Sequence, residues 1–443
     1  MSTGRRIPLR LASITWLQRY RLRHFLRFSF WSVPVGWLGA ALLVVRAVRW
    51  LDQQTSWTWF DYTAEGARAV LSGLSTSTLT FIVFAVSALL VAVQLASSQL
   101  TPRIIAFVYT RRLVQMSVGV FVFAYTFALV ALGRIEEPHV PQLLVCLAVL
   151  SNLISMVLFF WFVQQVGTSL RPVAILQSLE AAGRRVIDSV YPSALEPTPP
   201  PDPPLAPVGL PAPSRTIAHI GTSGTFLAFG VQALVAAAQQ AECVIEILPQ
   251  VGDFVAHGEP LFRIAPVDRL VAESDLHQMV AFGPERTLEQ DPAFAFRIMV
   301  DIAARALSAA LNDPTTAVLA LDQLHSLLHY VGQKQLDPGR VCDGHGQLRL
   351  LYPTPQWEDF VALAVSEIRL FGTGSLQIPR RLRAMLEQLI AVLPAARAPA
   401  LQQELALLHS AVARACPEVA DRQRAETSDR QGIGGAAQQR TQS

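Results

Sequence analysis

Arg286, Asp291, Asp301, Arg305, Asn312 and Asp313 form the most polar concentration in the helical region of this chain and are candidates for chemistry. Arg297, Asp301 and Arg305 recur every fourth residue, the spacing at which side chains on one helix face form ion pairs. A buried polar network or ligand pocket is the alternative for the same residues. Asn312-Asp313-Pro314 has the form of a helix start, with Asp313 as cap and Pro314 in the first turn. Asp322, His325 and His329 share one helical face and have the types of a metal-ligand set. No distant fourth ligand accompanies them, so a solvated face is the expectation and no metal or other cofactor is assigned. Gly372 and Gly374 precede a helix carrying Arg380, Arg381 and Arg383. A glycine loop at a helix start can hold an anion on backbone N–H groups, although glycines closing one helix also serve simply as its cap.

No template for catalysis is present. The chain lacks G-x-x-x-x-G-K, G-x-G-x-x-G and H-E-x-x-H, and Gly221-Thr222-Ser223-Gly224 does not have the glycine spacing of a nucleophile elbow. Cys146, Cys243, Cys342 and Cys416 are scattered, with neither a disulfide framework nor a zinc pattern. A net charge of +3 argues against nucleic acid as a partner. An enzymatic role is not expected.

The elements that must position these residues begin in lipid. Apolar runs at 31–48, 79–95, 114–132 and 143–163 each reach the roughly 17–25 residues that cross about 30 Å of hydrocarbon as helix. Trp31, Trp37, Trp50, Trp57, Trp59 and Trp161 fall at or near their ends, as an interfacial aromatic belt would. The first run starts behind a long basic segment and has no small-residue cleavage site after it, so a cleaved signal peptide is not expected. Arginines crowd the segment before the first run, the loop holding Arg103, Arg111 and Arg112, and the stretch after the fourth. The other loops mix arginine with Asp52, Asp61, Glu65, Glu136 and Glu137. The positive-inside rule then puts both termini in the cytoplasm of a bacterial cell, with the spans in its inner membrane. Arg19, Arg23 and Arg27, opposite Leu17, Leu22, Phe25 and Phe28, describe a basic helix lying on the anionic inner leaflet.

Within the second run Thr76, Thr80, Ser87, Gln94 and Ser98 make one polar stripe. Two readings stay open. The stripe is either a helix–helix seam, or the lining of a hydrated path formed when copies of the chain assemble. Asn152 and Ser155 of the fourth run could pair with it. No acid or base lies within the spans to carry a proton, which disfavours an ion-coupled pump.

Beyond the spans, a juxtamembrane helix over 170–190 precedes a segment, 192–213, with ten prolines, an extended spacer. Strand-like pieces at 216–220, 224–229, 243–248 and 260–265 surround one helical stretch, 231–240. The segment 251–261 places Gly252 and Gly258 six apart, suiting two tight turns that need positive φ. Its pattern is similar to half of a lipoyl- or biotinyl-type barrel-sandwich, but no lysine lies near to carry a swinging arm. Helical spacing follows at 292–307, 314–330, 357–371, 379–392 and 398–415. From 421 the chain is polar and Gly- and Gln-rich, with the composition of a disordered tail.

Several of these segments together resemble a bacterial family of predicted membrane proteins, the domain-of-unknown-function family numbered twenty-two fifty-four. The resemblance rests on residues 93–103 (VQLASSQLTPR), the 252–261 turn, Glu285-Arg286-Thr287, and Gln290-Asp291-Pro292. It continues through residues 301–308 (DIAARALS), residues 311–314 (LNDP), residues 368–372 (IRLFG) and residues 380–383 (RRLR). It spans about 15–395. Where the family pattern has Ser-Pro-Ala this chain has Ser308-Ala309-Ala310, and Gly224-Thr225-Phe226 stands where a Gly-Tyr-Val-like run would. The resemblance implies topology and no activity.

The expected architecture is an α-helical membrane domain of four transmembrane helices plus a cytosolic α+β domain with a small barrel-sandwich-like β part and a helical part. Its divisions are a basic interfacial helix (1–28), the membrane domain (29–168), a juxtamembrane helix (169–191) and the Pro-rich linker (192–214). The β part (215–268), the helical part (269–420) and the tail (421–443) follow. The expected role is an oligomeric channel- or transport-like protein controlled by its cytosolic domain. A membrane-anchored sensor or scaffold binding a small ligand or protein is the other reading. Expected partners are the lipid bilayer and further copies of the chain.

Overall fold

The computed structural model describes residues 15–29, 31–54, 62–104, 112–135, 140–169, 171–195, 213–269 and 271–433. Arg5, Arg6, Arg10, Asp61, Arg111, Trp57, Trp59, Glu136, Glu137 and most of the Pro-rich spacer lie outside the described residues. The chain divides into two compact units, 22–174 and a second built from 1–21 with 175–443.

Unit 22–174 is a bundle of four long helices, α2 (Ser32–Gln54), α3 (Ala64–Gln99), α4 (Arg112–Leu132) and α5 (Gln142–Ser169). All four are long and apolar enough to cross a membrane. They form because nearly every residue is apolar or small, and a helix satisfies its own backbone where no water can. Polar groups secure one end of the bundle. Gln142 brackets Tyr62, accepting from its N–H at 3.0 Å and donating to its C=O at 2.9 Å. Asp52 accepts from the N–H of Leu143, and Arg68 donates to the carbonyl of Ile135 at 2.9 Å. Midway, the Thr78 hydroxyl bonds the Asn152 side-chain oxygen, and the Asn152 amide donates back to Ala148 O at 2.8 Å. Further along, Phe81 stacks on Phe159 at 4.5 Å, and Phe121 meets Phe162 edge-on.

The other unit joins a β part to a helical part. A five-stranded sheet has the order β1-β5-β3-β8-β7, and a three-stranded one β4-β2-β6. The strands are β1 (Arg215–Ala218), β2 (Gly224–Phe229), β3 (Val244–Ile247), β4 (Phe254–Val255), β5 (Pro260–Ala265), β6 (Val280–Gly283), β7 (Arg340–Cys342) and β8 (Leu348–Leu351). Pairing is antiparallel except that β8 lies parallel to β3. Helix α7 (Val231–Gln240) closes one core with Ile245, Phe262, Ile264, Leu276 and Leu350. Gly252 and Gly258 both take positive φ, as their spacing requires. The region expected to be helical from 269 therefore contributes three strands. Leu350 joins a strand built about a hundred residues earlier, a long-range pairing that local periodicity does not encode.

Helices α9 (Pro292–Ala306), α10 (Pro314–Gly332), α11 (Trp357–Gly372), α12 (Gln377–Val392) and α13 (Ala398–Ala415) make the helical part; α8 (Glu273–His277) is a single short turn beside β6. Helix α6 (Pro172–Val190) belongs with them rather than standing apart as a juxtamembrane rod. From Ile175 onward its residues lie in this unit, where Ile175, Leu176, Leu179 and Ile187 are fully buried. Gly183 allows the close approach, since a Cβ there would come within 3.0 Å of Ala295 and 3.1 Å of Leu327. The tail also departs from expectation. Val419–Ala425 is a helix, α14, and residues up to Ile433 continue in ordered contact with α12, because their polar atoms find fixed partners there.

In the bundle, α2 and α4 meet at Gly119, where a Cβ would fall 2.2 Å from the Trp37 ring. Gly119→Val is expected to lower the unfolding temperature of the detergent-solubilised protein through overpacking of about 1–3 kcal/mol. Adding Trp37→Ala should recover part of the loss, measured by thermal unfolding of both variants.

Candidate functional site

Helix α9 starts where it does because Asp291 caps it. The carboxylate accepts from the N–H of Phe294 at 3.1 Å, and Pro292 occupies the first turn. Asp291 is 2% exposed and is engaged by the Arg286 guanidinium. Burial pushes its carboxyl above the ordinary carboxylate range, while Arg286 and the helix N–H groups pull the other way. Arg286 in turn lies flat against Gly252, where any Cβ would overlap the guanidinium. At φ +99° that position excludes other residues twice over, by backbone strain and by contact.

The segment linking β6 to α9 touches more than the β3–β4 turn. Gln290 closes the end of β2 like a further strand residue, accepting from Phe229 N at 3.0 Å and donating to Phe229 O at 3.2 Å. Tyr20 of α1 (Trp16–Phe28) reaches the same segment, with the Glu289 carboxylate beside its phenol. Burial first, and the Glu289 carboxylate second, drive the Tyr20 phenol far above its ordinary value. Around it Trp16, Leu17 and Tyr20 pack on Leu227, Ala228 and Ala281, and Leu17 N donates to Gln278 O at 3.2 Å. Residues 285–291 thus join α1, β2, the Gly252 turn and α9 at one polar junction.

The first turns of α1 are held by protein, because Trp16 and Tyr20 find an apolar shelf and a polar partner on the β part. Leu22, Phe25 and Leu26 further along remain exposed. Tyr20 and Gln290 were the residues missed. Gln290 stood inside the recognisable motif, and Tyr20 was marked only by being aromatic in a basic helix.

The other five polar residues of the cluster do not all converge with Asp291. Arg286 does. Asp301 pairs with Arg297, which also grips Glu367 of α11 through two N–H groups, one at 2.8 Å. Arg305 lies exposed in the last turn of α9. Asn312 takes the left-handed conformation, φ +46°, between the two helices, and Asp313 caps α10 through Thr316 N at 3.1 Å. The cluster is three local devices: a junction, an interhelical ion bridge and a capped corner.

Asp322 and His325 face Arg381, not a metal position. Arg381 donates from Nε to Asp322 at 2.8 Å, and its Nη2 lies 3.2 Å from His325 Nδ1. His329 lies against Gln333 at 3.3 Å. Among the described residues no group of three His, Cys, Asp or Glu could hold a metal ion. Gly372 packs on Ile378, and Ser375 N returns to Gly372 O at 3.0 Å, so the Gly372–Gly374 loop folds on itself. Arg380 and Arg381, one turn into α12, are 6% and 5% exposed and are turned toward protein partners.

In the bundle, Thr76, Thr80, Ser87, Gln94 and Ser98 are all exposed on α3, opposite the buried face Leu71, Ser75, Thr78, Ala85 and Leu89. The seam inside the chain uses Thr78 and Asn152 instead. At 36 residues, α3 is about 54 Å long, well beyond about 30 Å of hydrocarbon. Thr76 and Thr80 return their hydroxyls to the carbonyls four residues back, both at 3.0 Å.

Two outcomes follow. Asp291→Ala should cost more than Asp291→Asn in denaturant unfolding, because Ala removes the cap, worth about 1 kcal/mol, and strands Arg286. His325 has its pKa lowered to about 4 by burial, then by Arg381 and His329. Its neutral form is favoured on folding, so this stabilisation is complete above pH 6.5 and is lost as pH falls toward 4. His325→Gln should flatten the decline in melting temperature between those values, the difference from wild type being the readout.

The model of the family described as predicted membrane protein (DUF2254) matches residues 27–388. An uncharacterized protein of Mycobacterium tuberculosis is 28% identical over 403 residues, covering 86% of this chain and 74% of the relative. An uncharacterized protein of Mycobacterium bovis matches with the same identity and coverage. No solved structure matches the chain.

Proposed function

We propose, from the premise that this chain belongs to the predicted membrane protein family DUF2254, that it is an oligomeric channel- or transport-like protein controlled by its C-terminal unit. One observation carries the reading. The α3 face bearing Thr76, Thr80 and Ser87 points out of the bundle, uncovered by the described residues of its own chain. Gly73 and Ser77 extend the same face with small side chains. In lipid such a face favours close approach of another helix, and a second copy supplies one. Around a central axis the hydroxyls would line a path passively, with Gln94 and Ser98 at its mouth.

Arginine placement supports the spans lying in the inner membrane with both termini in the cytoplasm. Control would pass through α1. Its first turns belong to the compact C-terminal unit, and the chain enters α2 only a few residues after Phe28. The 285–291 junction sets where α1 docks, so a change of state in the β part has a covalent route to the first span. No catalytic role is assigned to any residue. A sensor or scaffold would use the same junction without a conducting α3 face.

Single cysteines at Thr80 or Ser87 should cross-link between chains in membranes, while one at Thr78 should not. Reconstituted protein should pass small ions or solutes, with flux reduced by Gln94→Leu with Ser98→Leu and altered by Tyr20→Phe. Absence of both cross-links and flux would sink the channel reading and leave the scaffold.

A further inference from the structure

Helix α2 carries two arginines inside Ser32–Asp52, the stretch that is apolar and long enough to cross a membrane. Arg46 and Arg49 are both exposed, and neither makes a hydrogen bond or ion pair with any described residue. Their charged neighbours at that end of the bundle are satisfied within the chain. Asp52 is engaged elsewhere, accepting from Leu143 N at 3.3 Å, and Arg68 donates to Ile135 O at 2.9 Å.

The helix geometry explains why these two are left over. Ala41, Val45 and Val48 lie in the bundle core. At about 100° per residue, the opposite side of α2 carries Val35, Leu42, Leu43, Arg46, Arg49 and Trp50. All of these are exposed, Leu43 at 71% and Trp50 at 60%. Arg46 has Leu42 and Leu43 one turn before it and Arg49 and Trp50 one turn after it. The face therefore changes from aliphatic to cationic within a single turn.

In a bilayer this face meets lipid, where a guanidinium without a counter-charge is costly. A phospholipid brings the missing charge and an apolar body in the same molecule, in the order the face presents them. Guanidinium forks match phosphodiester oxygens in pairs. Tryptophan rings settle at the headgroup level, so Trp50 suits the same end of the site.

We infer that Arg46, Arg49 and Trp50 form a headgroup site for an anionic phospholipid, whose acyl chains run along Leu43, Leu42 and Val35. A zwitterionic headgroup fits less well, because its own ammonium competes with the arginines for the phosphate. The site lies within unit 22–174 and stands whether or not α3 conducts.

The test titrates detergent-solubilised full-length protein with phosphatidylglycerol or phosphatidylcholine and counts bound lipid by native mass spectrometry. Wild type should hold phosphatidylglycerol at least about tenfold more tightly than Arg46→Gln with Arg49→Gln. Phosphatidylcholine should bind both proteins alike. Arg46→Lys with Arg49→Lys should keep part of the preference, since charge remains and the planar fork is lost. A wild type with no preference for phosphatidylglycerol overturns the proposal, as does a preference undiminished in the glutamine pair. Loss of oligomers from the glutamine pair with phosphatidylglycerol retained assigns the face to a second copy and overturns it too. If that pair is not recovered folded, Arg49→Gln alone is titrated identically, and unchanged retention is then the overturning result.

Discussion

A polar group removed from water must be matched, and nearly every feature of this protein follows from how its chain meets that demand. Asp291 shows it most compactly. A carboxylate 2% exposed would be untenable alone, and it is held by a helix N-terminus on one side and Arg286 on the other. Arg286 then needs a flat floor, which Gly252 provides only because it lacks a Cβ. The start of α9, the conformation of the β3–β4 turn and the closing of β2 by Gln290 are therefore one problem solved together. Removing any member exposes the others to the cost of an unpaired group.

The same demand is met differently in the two units. In the bundle, hydroxyls return to their own helix carbonyls, and few side chains cross between helices. Thr78 with Asn152, Gln142 with Tyr62, Asp52 with Leu143 and Arg68 with Ile135 are polar ties among apolar and aromatic contacts. In the C-terminal unit, arginines do the bridging: Arg297 to Asp301 and Glu367, Arg369 to Glu404, Arg381 to Asp322. Long guanidinium side chains span adjacent helices and bring several donors each, so a helix packing surface can be polar without being unsatisfied.

Two segments that looked free are captured by this logic. Trp16 and Tyr20 bring the first turns of α1 onto the β part. Residues 427–432 are captured by Arg380 and Gln377. Both attachments depend on small contact sets around one or two polar residues, a scale at which binding energy elsewhere can compete. Elements that respond to ligands are drawn from such weakly held parts of a structure.

What the sequence determined by itself was whatever is local. Four apolar runs, the caps at Asp291 and Asp313, and the two positive-φ glycines follow from composition and short-range spacing, and they appear in place. The Arg297–Asp301 pair was legible for the same reason. Tertiary structure decided which face of α3 is left outside, that β8 lies beside β3, that α6 packs with α10, and that Arg380 turns to residues 427–429 while Arg381 turns to Asp322 and His325. Each of these depends on a partner many residues away, and a polar side chain carries no local mark of what will satisfy it. Gln290, Tyr20 and Asp429 acquired their roles only when the fold brought their partners within hydrogen-bonding distance.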